Sequence, residues 1–123
     1  MVIKMKEYLF SYGTLRKEQV QMDLVRRVLT GSADALRGYK MSTIKITDTA
    51  FLSNGEEPYQ KTVVTSDDKN DMVSGTALEV TSGELLIADK YEPENYKRVN
   101  VRLESGKTAW IYIAVENNEH EKL

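Results

Sequence analysis

The chain has 123 residues, 41% of them apolar and 29% charged, with 19 acidic against 17 basic side chains and a formal net charge of −2. That length lets one domain bury a core without staples, and the interspersed acids and bases leave no basic face of the kind nucleic acid selects. There is no cysteine, which excludes disulfides, thiolate nucleophiles and cysteine-held zinc or iron–sulfur sites.

Residues 7–11 form an apolar, aromatic first strand that breaks into Tyr12-Gly13-Thr14-Leu15. A strand ending in a glycine-containing turn exposes consecutive backbone N–H groups, whose dipoles suit an anion. Gly13 adds room for close approach. Residues 18–30 place Val20, Leu24 and Val28 four apart, with Val25 and Leu29 widening the stripe; this predicts an amphipathic helix ending before Gly31. A short strand over residues 33–36, a turn at Gly38-Tyr39 and an extended segment through Met41, Ile44 and Ile46 follow. Residues 48–58, with Asn54-Gly55 and Pro58, read as a long loop. Residues 59–65 form a strand and 66–71 a polar connector. The next strand, residues 72–80, contains Gly75, which marks a bulge or a close contact. Thr81 and Glu84 match a capping box before a short helix that ends at Tyr91-Glu92-Pro93, since proline disfavours helix in the residue before it. Residues 96–103 and 108–115 flank Glu104-Ser-Gly-Lys107 as a β-hairpin.

Six or seven strands that do not alternate regularly with two helices argue against a doubly wound fold. The expectation is an α+β domain, a small mixed barrel or curled sheet flanked by short helices, over residues 1–116 with a polar tail at 117–123. No apolar run suits a signal peptide or approaches the roughly 20 residues of a membrane span. A cytoplasmic protein, a monomer or weak homodimer without membrane or nucleic-acid partners, is expected.

The single histidine, His120, lies in the polar tail, so a Ser-His or Cys-His scheme lacks a base. Proton transfer then falls to Asp, Glu, Lys or Tyr. Glu92 is the carboxylate singled out, because it follows an apolar helix, is fixed by Pro93 and has Tyr91 and Tyr96 nearby in sequence. Partial burial would disfavour its ionised form and move it toward a general base. The bland alternative is a surface glutamate paired with Lys97 or Arg98, and Asp89 carries the same two readings. Among the aromatics Tyr8, Tyr12, Tyr91, Tyr96, Trp110 and Tyr112, core packing is the ordinary role. Trp110 and Tyr112 share one strand face and Ile111 and Ile113 the other. Phosphate-loop and dinucleotide readings fail, because the Tyr12 turn lacks the second glycine and a following Gly-Lys-Ser/Thr.

Together these stretches resemble the γ-glutamylcyclotransferase-like (AIG2-like) proteins. The resemblance rests on Phe10-Ser-Tyr-Gly-Thr-Leu15, Leu36-Arg-Gly-Tyr39, Val73-Ser-Gly-Thr-Ala-Leu-Glu-Val80, Glu84 through Asp89-Lys-Tyr-Glu92, Tyr96-Lys-Arg-Val99 and Ala109-Trp-Ile-Tyr112. It implies a small mixed barrel with a cavity between the first turn and the glutamate-bearing segment. It also implies that the backbone of Tyr12, Gly13, Thr14 and Leu15 holds the carboxylate of a γ-glutamyl group. By the same resemblance Glu92 is the catalytic base, Tyr112 is a cavity tyrosine, and no cofactor or metal is required. The implied reaction is attack of the substrate α-amino group on its own γ-carbonyl, which releases 5-oxoproline and an amine. Two departures bear on the substrate: Asp48-Thr-Ala-Phe51 stands where the family usually carries a Tyr-Pro-type turn, and Pro93 replaces a small residue. The rival expectation is a non-catalytic module that holds a small carboxylate in the same cavity.

Overall fold

The apolar stretch that begins the chain becomes the central strand of a five-stranded sheet. The computed structural model describes residues 6–45, 59–92 and 95–114. In chain order these form β1 (Glu7–Ser11), a 3-10 turn (Thr14–Arg16), α1 (Glu18–Val25), β2 (Gly31–Arg37), β3 (Tyr39–Lys45), β4 (Tyr59–Thr65), β5 (Met72–Val80), α2 (Ser82–Tyr91), β6 (Tyr96–Arg102) and β7 (Thr108–Ala114). The expected loop at 48–58, Pro93, His120 and the tail lie outside the described residues.

The larger sheet has the order β2-β5-β1-β7-β6, and β3 and β4 pair in a separate two-stranded ribbon. β1 runs antiparallel to β5 and parallel to β7, while β6 and β7 form the expected antiparallel hairpin. Gly38, at φ +83°, turns the chain from the sheet into the ribbon. Its N–H donates to the Asp71 carbonyl at 2.7 Å and its carbonyl accepts from Ser66 at 2.9 Å, which ties both crossings together. The α+β expectation holds, and of its two forms the curled sheet is the one realised. The ribbon docks on β7 without a continuous ladder: the Ala114 N–H donates to the Thr62 hydroxyl at 2.8 Å.

Side chains alternate across a strand, so β1 and β7 feed two cores. Leu9, Leu78, Val80 and Tyr112 pack with Leu15, Leu29, Leu85 and Ala88 beneath the helices. Phe10, Ala77, Ala109 and Ile111 face the other way, against Leu36, Val63, Val73 and Leu103. Phe10 and Ile111 are essentially inaccessible, each worth about 1.5–3 kcal/mol of apolar burial. Gly75 is a close contact rather than a bulge. Its pairing with Asp34 is regular, and a Cβ there would lie 2.7 Å from the Phe10 ring.

The first helix is shorter than its apolar stripe predicts. Arg26 adopts φ +65° and ends it, leaving Val28 exposed. The cause is Gln21, whose buried amide donates to the Leu15 carbonyl at 2.9 Å and accepts from the Leu29 N–H at 2.8 Å. Leu29 thus enters the core from extended chain, not from a helix. α2 carries its capping box as expected: the Glu84 N–H meets the Thr81 hydroxyl at 3.1 Å, and the Glu84 carboxylate meets the Thr81 N–H at 2.9 Å. Arg27 clamps the same carboxylate through two bonds of 2.7 Å. Among the described residues no helix is long and apolar enough to cross a membrane.

Candidate active site

Parallel pairing of β1 and β7 sends the C-terminal ends of both strands to one edge of the sheet. β6 is antiparallel to β7, so it begins at that edge, pairing Tyr96 with Ala114. Residues Tyr12, Tyr96 and Tyr112 therefore meet there although they are far apart in sequence. Glu92 also reaches this edge, as the extended C-cap residue of α2 (φ −70°, ψ 146°), with its N–H bonded to the Ala88 carbonyl at 3.1 Å. This is the helix end expected from Pro93.

Glu92 is half-buried, and burial pushes its carboxyl from 4.5 up to about 7. The other described carboxylates that shift move down: Glu7, Asp34, Glu84, Asp89 and Glu104 each gain hydrogen-bond or ionic partners. Among the described residues no basic side chain pairs with Glu92. Arg98, a candidate partner from the sequence, pairs with Asp89 instead at 2.7 and 3.0 Å.

Three phenols feel the Glu92 charge. Burial lifts Tyr12 to about 12, partly offset by its hydrogen bond with Thr62 and reinforced by Glu92. Tyr96 is raised by burial, then by Tyr12 and Glu92. Tyr112 is raised by burial, by its hydrogen bond to Asp89 and by the Asp89 charge, with a smaller push from Glu92. All three stay neutral near pH 7. The Tyr12 hydroxyl donates to the Tyr112 carbonyl at 2.5 Å, and the Tyr96 hydroxyl donates to the Lys61 carbonyl at 2.6 Å. Tyr91, also in the aromatic set, is nearly half exposed.

The turn of residues 12–15 is held from two sides. The Leu15 side chain is anchored in the core. Arg16 donates through Nε to the Gly13 carbonyl at 3.1 Å and through Nη2 to the Tyr12 carbonyl at 3.3 Å. In a trans peptide the N–H points opposite its carbonyl, so the Gly13 and Thr14 N–H groups face away from Arg16. The Gly13 N–H makes a long 3.4 Å contact with the Ser11 hydroxyl. A Cβ on Gly13 would meet no atom within 4 Å, so the space above it is open.

Beside this edge lies an open groove of about 360 Å³ lined by Asp89, Tyr96, Lys97, Arg98, Trp110 and Tyr112. Glu92 and the turn are not part of its lining. Sequence reasoning missed Thr62, fully buried under the site, and Gln21, which fixes the turn from below. Each reads in sequence as a surface residue, and only the long-range pairing reveals its bonds. Among the described residues no cluster of three His, Cys, Asp or Glu side chains is arranged to hold a metal ion.

The family model for γ-glutamyl cyclotransferase, AIG2-like, matches residues 9–123. The chain belongs to that family. A solution structure of an Arabidopsis thaliana protein superposes with a TM-score of 0.69 at 20% identity, covering 96% of this chain and 70% of that one. A second Arabidopsis thaliana solution structure gives 0.67 at 21% identity, with 95% and 80% covered. A structure titled γ-glutamyl cyclotransferase gives 0.68 at 17% identity, with 91% and 68% covered. At these identities the likeness concerns the fold. None of the curated protein sequences matches the chain.

Proposed function

We propose that this protein is a cyclotransferase acting on a γ-glutamyl amide, with Glu92 as its proton carrier and no cofactor. The observation that carries the reading is Glu92 itself: a half-buried carboxyl, without a basic partner among the described residues, whose ionisation burial lifts to about 7. A carboxyl placed there exchanges protons near neutral pH, which suits general acid–base catalysis. Family membership supports this reaction class.

In this reading the N–H groups of residues 12–15 hold the substrate α-carboxylate, with open space at Gly13 to admit it. Glu92 removes a proton from the α-ammonium group. The freed amine attacks the γ-carbonyl, forming the ring C–N bond as the amide C–N bond breaks. Glu92 then passes that proton to the departing nitrogen, and a second proton, lost from the ring nitrogen once it has bonded to carbon, follows to the released amine. The products are 5-oxoproline, which keeps one N–H in the ring, and an amine that leaves as its ammonium ion. No water is consumed. Ring closure is intramolecular, so a site that folds the glutamyl chain back gains most of its acceleration from geometry.

The test is release of 5-oxoproline from γ-glutamyl amino acids, γ-glutamyl-lysine and γ-glutamyl amines by wild type and Glu92→Gln. The wild type is expected to turn over at least one class, and the variant to lose about 10²–10⁴-fold in kcat. Equal rates would remove Glu92 as the base. A wild type silent across the panel would refute turnover and favour the carboxylate-binding module.

A further inference from the structure

The Tyr112 hydroxyl has one proton, and the fold commits it. It donates to Asp89 Oδ1 at 2.6 Å; the Leu85 carbonyl, at 3.5 Å, is at the edge of hydrogen-bonding range. Asp89 is itself immobilised. Arg98 grips both its oxygens, lies over the Trp110 ring at 4.3 Å from the centroid, and Trp110 donates to Glu7 at 2.9 Å. Ser82 holds the other oxygen of Glu7 at 3.0 Å. Residues from β1, α2, β6 and β7 thus fix one carboxylate under one phenol.

On the cyclotransferase reading above, on which this inference rests, we propose that Asp89 is a positioning residue that makes the Tyr112 hydroxyl an acceptor for the reacting α-amino group, and not a donor to the developing oxyanion. Arg98 and Tyr112 together hold Asp89 below the usual carboxylate range, so it remains ionised and keeps accepting. With its proton spent, the phenol offers only lone pairs to the cavity. A substrate ammonium has three N–H bonds. One goes to Glu92 and a second to the Tyr112 oxygen, which sets the rotation about the Cα–N bond. The lone pair uncovered by Glu92 is then aimed at the γ-carbonyl. Stabilisation of the oxyanion falls to donors other than this phenol.

Among the described residues, the charged and titratable groups that bear on Tyr112 are Asp89 from α2, Glu92 at its C-cap, Arg98 from β6 and Tyr12 following β1, with Tyr96 and Lys97 of β6 lining the same groove. The experiment pairs a titration with a double-mutant cycle. In protein labelled with ¹³Cζ-tyrosine, the Tyr112 resonance is assigned by its loss in Tyr112→Phe. It is expected to ionise at lower pH in Asp89→Asn than in wild type. In turnover, Asp89→Asn and Tyr112→Phe are each expected to lose about 10–100-fold, mostly in kcat, the worth of a hydrogen bond to a charged group. The double variant is expected to be no worse than Tyr112→Phe alone.

An unmoved Tyr112 titration, or losses that multiply in the double variant, would overturn the proposal. If Asp89→Asn does not fold, Tyr112→Phe alone decides: it keeps the buried ring, and undiminished kcat overturns the acceptor role. A wild type without turnover overturns the parent reading and this one together. An active wild type with an undiminished Tyr112→Phe overturns only this one.

Discussion

Glu92→Gln is expected to stabilise the protein, and by an amount that depends on pH. The carboxyl lies near 7 in the folded chain and has an ordinary value of 4.5. Between those values the folded state binds the extra proton, so stability of the wild type falls as pH rises through the window and is level above it. The full difference corresponds to about 3 kcal/mol at 1.36 kcal/mol per pKa unit. Solvent reaching a half-buried group relaxes part of it, leaving about 1–3 kcal/mol. The amide does not titrate. Its advantage over wild type is therefore small near pH 4, grows through pH 4.5–7 and is constant at pH 8. For a chain of this size that is about 5–10 °C in Tm at pH 8. Thermal melts of both proteins from pH 4 to 8.5 measure it. A gap of equal size at pH 4 and pH 8, or a wild type that gains on the variant as pH rises, would refute a carboxyl raised by burial.

In the proposed reaction the same ionisation would set the acid limb: kcat/KM is expected to rise with pH and reach half its plateau near 7, and a half-point below 5 would remove Glu92 as base. Gly75→Ala forces a Cβ to 2.7 Å from the Phe10 ring, with the Ser11 carbonyl on the same side, and is expected to cost about 1–3 kcal/mol in urea unfolding; a neutral result would mean the two strands separate freely. Thr62→Val keeps the shape but leaves the Ala114 N–H without its acceptor, for an expected loss of about 1–3 kcal/mol and faster exchange of that amide.

Local patterns carried most of the fold. Alternation predicted the faces of Trp110, Ile111 and Tyr112, and the Thr81–Glu84 spacing predicted the cap of α2, because those signals are set within one element. The end of α1 was not legible. Val28 continues the helical stripe, but Gln21 bonds to the Leu15 carbonyl and the Leu29 N–H and draws the chain out of the helix. That choice depends on contacts made after folding. The partner of Arg98 was equally hidden, since Glu92 is nearer in sequence than Asp89, which receives it. Glu92 was legible through Pro93 and the preceding apolar helix. Burial raises its carboxyl, and among the described residues no basic side chain offsets that rise, because Arg98 goes to Asp89.

The site also explains how the ribbon is fastened. At the edge where Glu92 lies, Tyr96 donates to Lys61, Ala114 donates to Thr62, and Tyr12 donates to the carbonyl of Tyr112. Tyr12 packs with the core beneath the ribbon, and Tyr112 with the core beneath the helices. The tyrosines among them therefore join the two cores and lie close enough to Glu92 to feel its charge. The bond from Tyr12 fixes the backbone of β7 at the residue whose side chain meets Asp89. Holding Glu92 half-buried, with no basic partner among the described residues, disfavours the folded state above pH 7, and these bonds offset that cost where it arises. Loosening the ribbon should thus admit water to Glu92 and lower its carboxyl toward 4.5. In Thr62→Val the acid limb of turnover would then move to lower pH along with the loss of stability. A variant that loses stability while its acid limb stays near 7 would separate the two roles and show that the helices alone desolvate Glu92.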